Sequence, residues 1–111
     1  MLEKYSTGFE FIGEADTFAD LHYQLSLRQP EILIISHKLL DGFTIDHIDG
    51  IREKYPAMKI LIFTIVNGVE NLLRFVGKVD GFLGKSATEE EIYAAISEVA
   101  NGNSFISVSE Y

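Results

Sequence analysis

Three polar residues, Ser36, Thr64 and Lys85, each stand directly after a short apolar run. A lysine supplies positive charge and a hydroxyl supplies a neutral hydrogen bond, so Thr64 and Lys85 together suit an anionic group held above the ends of two strands. The plainer interpretation is that these residues mark where the chain returns to water. Spacing alone leaves both interpretations open.

Alternating strand and helix patterns must position these residues. Strands are predicted at Phe9–Ile12, Glu31–Ser36, Lys59–Thr64 and Gly81–Gly84. Helices are predicted after Asp16 or Thr17, from Thr44 to Tyr55, from Val69 to Val76, and from Thr88 to Ala100, where Thr88 and Glu91 form a capping box. His37–Phe43 is predicted as a loop, and Ser104–Val108 as a small extra strand or a loop. Strands without alternation are buried on both faces, so the pattern predicts an α/β fold with a parallel sheet.

Composition excludes several classes of function. The 111 residues include 17 acidic and 9 basic side chains, for a formal charge of −8. This charge argues against nucleic-acid binding, since phosphate backbones favour clustered Lys and Arg. The chain has no cysteine, so disulfides and thiolate metal sites are excluded. Its apolar runs are too short to span a bilayer and its N-terminus lacks a signal-peptide pattern, so we expect a cytoplasmic protein with no membrane contact.

Much of the chain resembles one known family. The stretches that carry the resemblance are Pro30–Ser36, Lys59–Thr64 and Val79–Ile92, with support from Gly13–Asp16 and Val99–Ile106. They resemble the receiver domains of response regulators, in particular the NarL/FixJ (LuxR-type) class. The resemblance implies a flavodoxin-like (CheY-like) fold truncated at its N-terminus. Residues 1–111 would then be one receiver-like domain, with residues 1–6 as the remnant of the first helix and no output domain.

The resemblance also implies a chemistry. The family transfers a phosphoryl group from a histidine kinase to an aspartate at the end of the third strand, with Mg²⁺ held by that aspartate and an acidic pair. By position, Thr64 matches the phosphoryl-binding hydroxyl and Lys85 the phosphoryl-binding lysine. Phe82 matches the aromatic switch position, and Ser36 stands where the phosphoacceptor aspartate is expected.

The sequence departs from this pattern in four places. Ser36 is a poor Mg²⁺ ligand and, without a base, a poor nucleophile. Ile65 replaces a small residue, and Leu40 replaces a proline. The family's first strand and its acidic pair have no counterpart. We therefore expect no catalytic residue, no metal and no cofactor, with Mg²⁺ only if the acidic site were restored.

The missing strand has a structural consequence. Without it, the strand predicted at Phe9–Ile12 either pairs directly with Ile32–Ile35 or leaves a gap beside it. Direct pairing would place three helices on one face and leave the Thr88–Ala100 helix nearly alone on the other. Exposed apolar strands drive association, so we predict a dimer or larger assembly, with the tail Ser104–Val108 helping to cover the exposed face. Phe75 and Tyr93 are candidate exposed aromatics for protein contacts.

These inferences favour a degenerate receiver domain of a two-component phosphorelay, which is not an enzyme and acts through protein–protein contacts. Its partners would be a second copy and possible histidine kinases. One alternative is a phosphorylatable receiver of a DNA-binding regulator whose N-terminal part is missing from this chain. Another is a small flavodoxin-like enzyme that uses Thr64 and Lys85 on an anionic substrate. His37 with Asp41, and His47 with its neighbouring aspartates, are weak candidates for a cation site.

Overall fold

The computed structural model describes residues 12–64, 74–75, 77–84 and 88–107. In chain order these residues form α1 (Phe18–Leu27), β1 (Ile32–Ser36), β2 (Lys38–Leu39), β3 (Gly42–Phe43), a 3₁₀ turn (Thr44–Asp46), α2 (Ile48–Lys54), β4 (Lys59–Thr64), β5 (Gly81–Gly84), α3 (Glu89–Ala100) and β6 (Phe105–Ser107). No helix within these ranges is both long enough and apolar enough to cross a membrane.

Among the described residues, four strands form one parallel sheet in the order β1-β4-β5-β6. The predicted parallel sheet is therefore confirmed. The tail forms β6, which extends the sheet beside β5, at the edge opposite β1. The predicted loop His37–Phe43 was wrong in part, because β2 and β3 pair within it as a short antiparallel hairpin.

Helices pack on both faces of the sheet. Alternation along β4 sends Ile60 and Ile62 into the cluster under α1 and α2, and sends Leu61 into the cluster under α3. Among the described helices, α3 is the only one on its face. The middle of β4 is fully buried, with Ile60, Leu61 and Ile62 each 0% exposed.

Local signals set the helix ends. The Thr17 hydroxyl accepts a hydrogen bond from the backbone N–H of Asp20 at the start of α1. At the start of α3, Thr88 and Glu91 form the predicted capping box. At its end, Gly102 has a φ of +90°, and the N–H groups of Gly102 and Asn103 bond back to the carbonyls of Val99 and Glu98. This Schellman ending requires the left-handed conformation that glycine adopts without strain.

β1 is less buried than predicted. Ile32, Leu33 and Ile34 are only half-buried, and Ile35 alone in this run is buried. The prediction of burial on both faces was wrong because β1 lies at the edge of the described sheet and the helix layers cover it incompletely.

Several predicted elements lie outside the described residues, and others differ from the prediction. Residues 1–6, most of Phe9–Ile12 and most of Val69–Val76 lie outside the described residues, and Ile12 is not part of a strand. The helix predicted from Thr44 begins as a 3₁₀ turn. Phe75 is buried at 5% exposure and Tyr93 is half-buried, so neither is the exposed aromatic that was considered. Phe75 belongs to the buried cluster under α1 and α2, and helical phase alone does not reveal this covering.

Candidate functional site

The candidate site lies at the carboxyl ends of the parallel strands. Ser36 ends β1 and is paired in register with Phe63, while Thr64 ends β4 and is paired with Gly84. The fold therefore brings the backbones of Ser36 and Thr64 to the same end of the sheet, on strands about 4.8 Å apart. Lys85 and the departure at Ile65 lie outside the described residues.

Ser36 is held through its backbone. Its carbonyl accepts a hydrogen bond from the Thr44 hydroxyl, and Thr44 is 0% exposed. The Thr44 N–H in turn bonds to the His37 carbonyl at 2.9 Å. These two bonds close the hairpin that follows β1, and they fix the chain direction on leaving residue 36. The position that resembles a phosphoacceptor is thus tied to the following hairpin through its backbone, and its side chain is a neutral hydroxyl.

Asp41, in the turn of that hairpin, has a structural partner. Its Oδ1 accepts the Phe18 N–H at 2.7 Å and its Oδ2 accepts the Ala19 N–H at 3.2 Å. The Phe18 hydrogen bond lowers the pKa of the Asp41 carboxyl, with a smaller contribution from the Ala19 N–H. The carboxylate therefore caps the first turn of α1, where unpaired N–H groups favour an anion. This role leaves it a poor ligand for the cation site considered with His37.

Phe82 occupies the middle of β5 and is 5% exposed. Its ring meets the Phe75 ring edge-on, with centroids 6.2 Å apart and planes inclined at 66°. This is a favourable aromatic pair, and it seals the side chain inside the cluster beneath α1 and α2. The aromatic switch position of the resemblance is therefore a packed core position here.

Two residue clusters were not anticipated. Arg52 on α2 reaches the opposite end of the sheet, where its Nη2 lies 2.8 Å from Asp80 Oδ2. His22 and His47 meet with their ring nitrogens 3.4 Å apart. Both pairs join residues more than twenty positions apart, so no local sequence pattern marks them. Across the described ranges, no group of three or more His, Cys, Asp or Glu side chains is arranged to hold a metal ion.

A groove of about 1300 Å³ runs along the outer edge of β1. Its walls come from the segment Ile12–Asp16, from Leu21 and Leu25 of α1, and from Ile96 of α3, with Ile32–Ser36 along its floor. In the part of the chain that the structure describes, β1 pairs only with β4. The outer backbone groups of β1 thus face a mostly apolar groove.

Three comparisons with known proteins show which solved structures share this fold. No family model matches the sequence, and no curated protein matches it significantly. Solved structures do match. A LuxR-family two-component response regulator from Aurantimonas sp. SI85-9A1 is 25% identical, with a TM-score of 0.80 over 88% of this chain and 71% of that one. The non-phosphorylated receiver domain of Escherichia coli RcsB is 20% identical, with a TM-score of 0.82 over 88% and 78%.

A third match is a DNA-binding LuxR-family response regulator from Staphylococcus aureus. It is 22% identical, with a TM-score of 0.76 over 85% of this chain and 79% of that one. These three matches cover 88%, 88% and 85% of this chain. The chain therefore has the receiver-domain fold of two-component response regulators, and the solved structures that it matches are regulators of the LuxR family and their receiver domains.

Proposed function

We propose that this chain is a degenerate receiver domain that signals through protein–protein contacts and accepts no phosphoryl group on an aspartate. The observation that carries the proposal is Ser36 at the carboxyl end of β1, the position that matches the phosphoacceptor by resemblance. A serine hydroxyl needs a base to become a nucleophile. The nearest described carboxylate in the following hairpin, Asp41, already accepts two backbone N–H groups of α1.

The Mg²⁺ ion that the fold family implies does not suit the described residues. Mg²⁺ favours octahedral coordination by oxygen, usually with one or two carboxylates. The end of β1 offers the neutral Ser36 hydroxyl, and the Asp41 carboxylate is committed to α1. We therefore derive no phosphoryl-transfer step for this chain.

Incubation with acetyl phosphate and Mg²⁺ tests this half of the proposal. We expect no acid-labile phosphoryl adduct by intact mass, and no beryllofluoride-dependent change in the amide signals around Ser36. A known phosphorylatable receiver serves as the positive control in the same buffer. An acid-labile adduct would overturn the proposal and favour a phosphorylatable receiver from a DNA-binding regulator.

The contact surface that we propose is the outer edge of β1, and the partner is a second copy of this chain. RcsB occurs as dimers in a DNA-bound structure in which this chain covers 51% of the RcsB chain. A strand occupies about 3.3 Å along its axis, 4.8 Å across and 10 Å between layers, or about 800 Å³ for five residues. The groove of about 1300 Å³ thus has room for β1 of the second copy.

Charge also favours this surface for self-association. The whole chain carries −8, so two copies repel each other over most of their surfaces. The groove lining contains three acidic and two basic side chains, Glu14, Asp16, Glu31, Arg28 and Lys38, so its formal charge is −1. Two copies that meet edge to edge across a two-fold axis would therefore approach where repulsion is weak.

The backbone direction allows a sharp test. The Lys59 N–H bonds to the Glu31 carbonyl, so Glu31 faces β4. Because backbone groups alternate along a strand, the N–H groups of Ile32 and Ile34 point away from β4, toward the groove. Proline at either position removes an outward N–H and spares the bonds to β4.

Light scattering over a range of concentrations should show a dimer for the unaltered chain and for Ile34→Val, which keeps the N–H. Ile34→Pro should shift the population to monomer. Ile32→Pro, at the first strand residue, gives the same test if Ile34→Pro fails to fold. A monomer at all concentrations for the unaltered chain, or an unchanged dimer in folded proline variants, would refute pairing through this edge.

A further inference from the structure

Two histidines from different elements meet at one point of the fold. His22 lies on α1, and His47 lies in the turn that leads into α2. His22 Nε2 and His47 Nδ1 are 3.4 Å apart, and both rings are half-buried. The proposed receiver function uses neither ring.

Neighbouring groups hold the rings in place. The Phe18 ring, 1% exposed, stacks on His47 with centroids 3.8 Å apart and planes inclined at 6°. The other ring nitrogen lies on the side of Gly42, where an added β-carbon would come within 3.5 Å of His47 Nε2. The stacking orients His47 Nδ1 toward His22 before any ligand arrives.

The separation of the two nitrogens distinguishes two interactions. A strong N–H hydrogen bond joins heavy atoms about 2.9–3.0 Å apart, so 3.4 Å is long for one. Two imidazole nitrogens bound to one tetrahedral ion at about 2.0–2.1 Å are separated by about 3.3–3.4 Å. The observed distance matches the second geometry.

We propose that His22 and His47 form a two-histidine clamp for a borderline transition-metal ion such as Zn²⁺. Neutral imidazole suits Zn²⁺, Cu²⁺ and Ni²⁺, whereas Mg²⁺ and Ca²⁺ favour oxygen ligands. Within the described ranges the protein supplies two ligands, so solvent completes the coordination shell. A two-ligand site binds less tightly than a structural four-ligand zinc site.

A bound ion would cross-link α1 to the start of α2. Asp41 already ties the hairpin after β1 to the first turn of α1. The ion would therefore stabilise the same hairpin that leads away from Ser36. This inference stands on the histidine geometry and does not depend on the proposed function.

The experiment titrates Zn²⁺ into the full chain and follows the imidazole proton signals by NMR, with Mg²⁺ as the ion control. Co²⁺ replaces Zn²⁺ in parallel, because tetrahedral Co²⁺ has a characteristic visible spectrum. We expect one equivalent of Zn²⁺ to shift the His22 and His47 signals together and leave those of His37 in place. Mg²⁺ should shift none of them.

Single variants test which histidines bind the ion. His22→Gln and His47→Gln retain hydrogen-bonding capacity but lose the imidazole ligand, so each should weaken Zn²⁺ binding at least tenfold. His37→Gln should change it less than twofold. Circular dichroism in the presence of a chelator confirms that each variant is folded. Zn²⁺ affinity unchanged in folded His22→Gln or His47→Gln, or a shift of His37 alone, would overturn the clamp.

Discussion

The hydrogen bonds of Arg52, which join α2 to the segments before β4 and β5, give the most specific prediction about stability. Arg52 Nη2 lies 2.8 Å from Asp80 Oδ2, and the same carboxylate oxygen accepts the Ile60 N–H at 2.8 Å. Arg52 also donates to the carbonyls of Met58 at 2.7 Å and Lys78 at 3.1 Å. One side chain thus joins α2 to the chain segments that lead into β4 and β5.

The size of the effect follows from burial. The side chains of Arg52 and Asp80 are 28% and 26% exposed, so water replaces only part of what a truncation removes. A hydrogen bond to a charged group contributes about 1.5–3 kcal/mol when buried. We discount three such bonds for partial exposure, and expect Arg52→Ala to lower the free energy of unfolding by about 2–4 kcal/mol. The thermal midpoint should fall by about 8–16 °C.

A double-mutant cycle isolates the pair. Arg52→Ala, Asp80→Ala and the double variant are unfolded in urea, and the coupling free energy should be about 1–2 kcal/mol. The ion pair between Lys78 and Asp49, which also joins α2 to the segment before β5, is the matched control, with Nζ to Oδ1 at 3.2 Å and side chains 38% and 76% exposed. Its coupling should be about 0–0.5 kcal/mol. Equal coupling in the two pairs would refute the reasoning that burial decides their contributions.

Three further predictions concern single positions. A β-carbon at Gly81 would lie 2.5 Å from the Phe105 carbonyl oxygen. Gly81→Ala should therefore lower the free energy of unfolding, measured in urea, by about 1–3 kcal/mol. An unchanged urea midpoint would contradict the close packing of β5 and β6. The pKa of Asp41 is lowered in the folded state, chiefly by the Phe18 N–H. The ionised carboxylate therefore stabilises the fold fully at a pH above its ordinary pKa, and this contribution is lost as the pH falls through the pKa of the folded state. Asp41→Asn should therefore flatten the acid side of the stability–pH curve, measured by urea unfolding, and an unchanged slope would count against the cap. Thr88→Ala removes the hydroxyl that accepts the Glu91 N–H, so it should lower the free energy of unfolding by about 1 kcal/mol, measured by thermal unfolding. Thr88→Ser keeps a hydroxyl and should be about as stable as the unaltered chain.

Much of the fold could be read from local pattern. The unbroken apolar runs Ile32–Ile35 and Ile60–Phe63 predicted parallel strands, and the capping box at Thr88 predicted the start of α3 to the residue. These features depend on neighbours within a few positions, and backbone periodicity and capping hydrogen bonds act over that range. The resemblance to receiver domains rested on the same runs, and the solved structures bear it out.

Contacts distant in sequence were decided by the tertiary structure alone. Asp41 caps α1 across 22 and 23 positions, and His22 meets His47 across 25. Composition and spacing carry no signal for such pairs, because they depend on how α1, the hairpin and α2 are packed together. The half-burial of β1 has the same origin. An apolar run indicates that burial of both strand faces would be favourable, but only the packing of the neighbouring helices determines how far each face is buried.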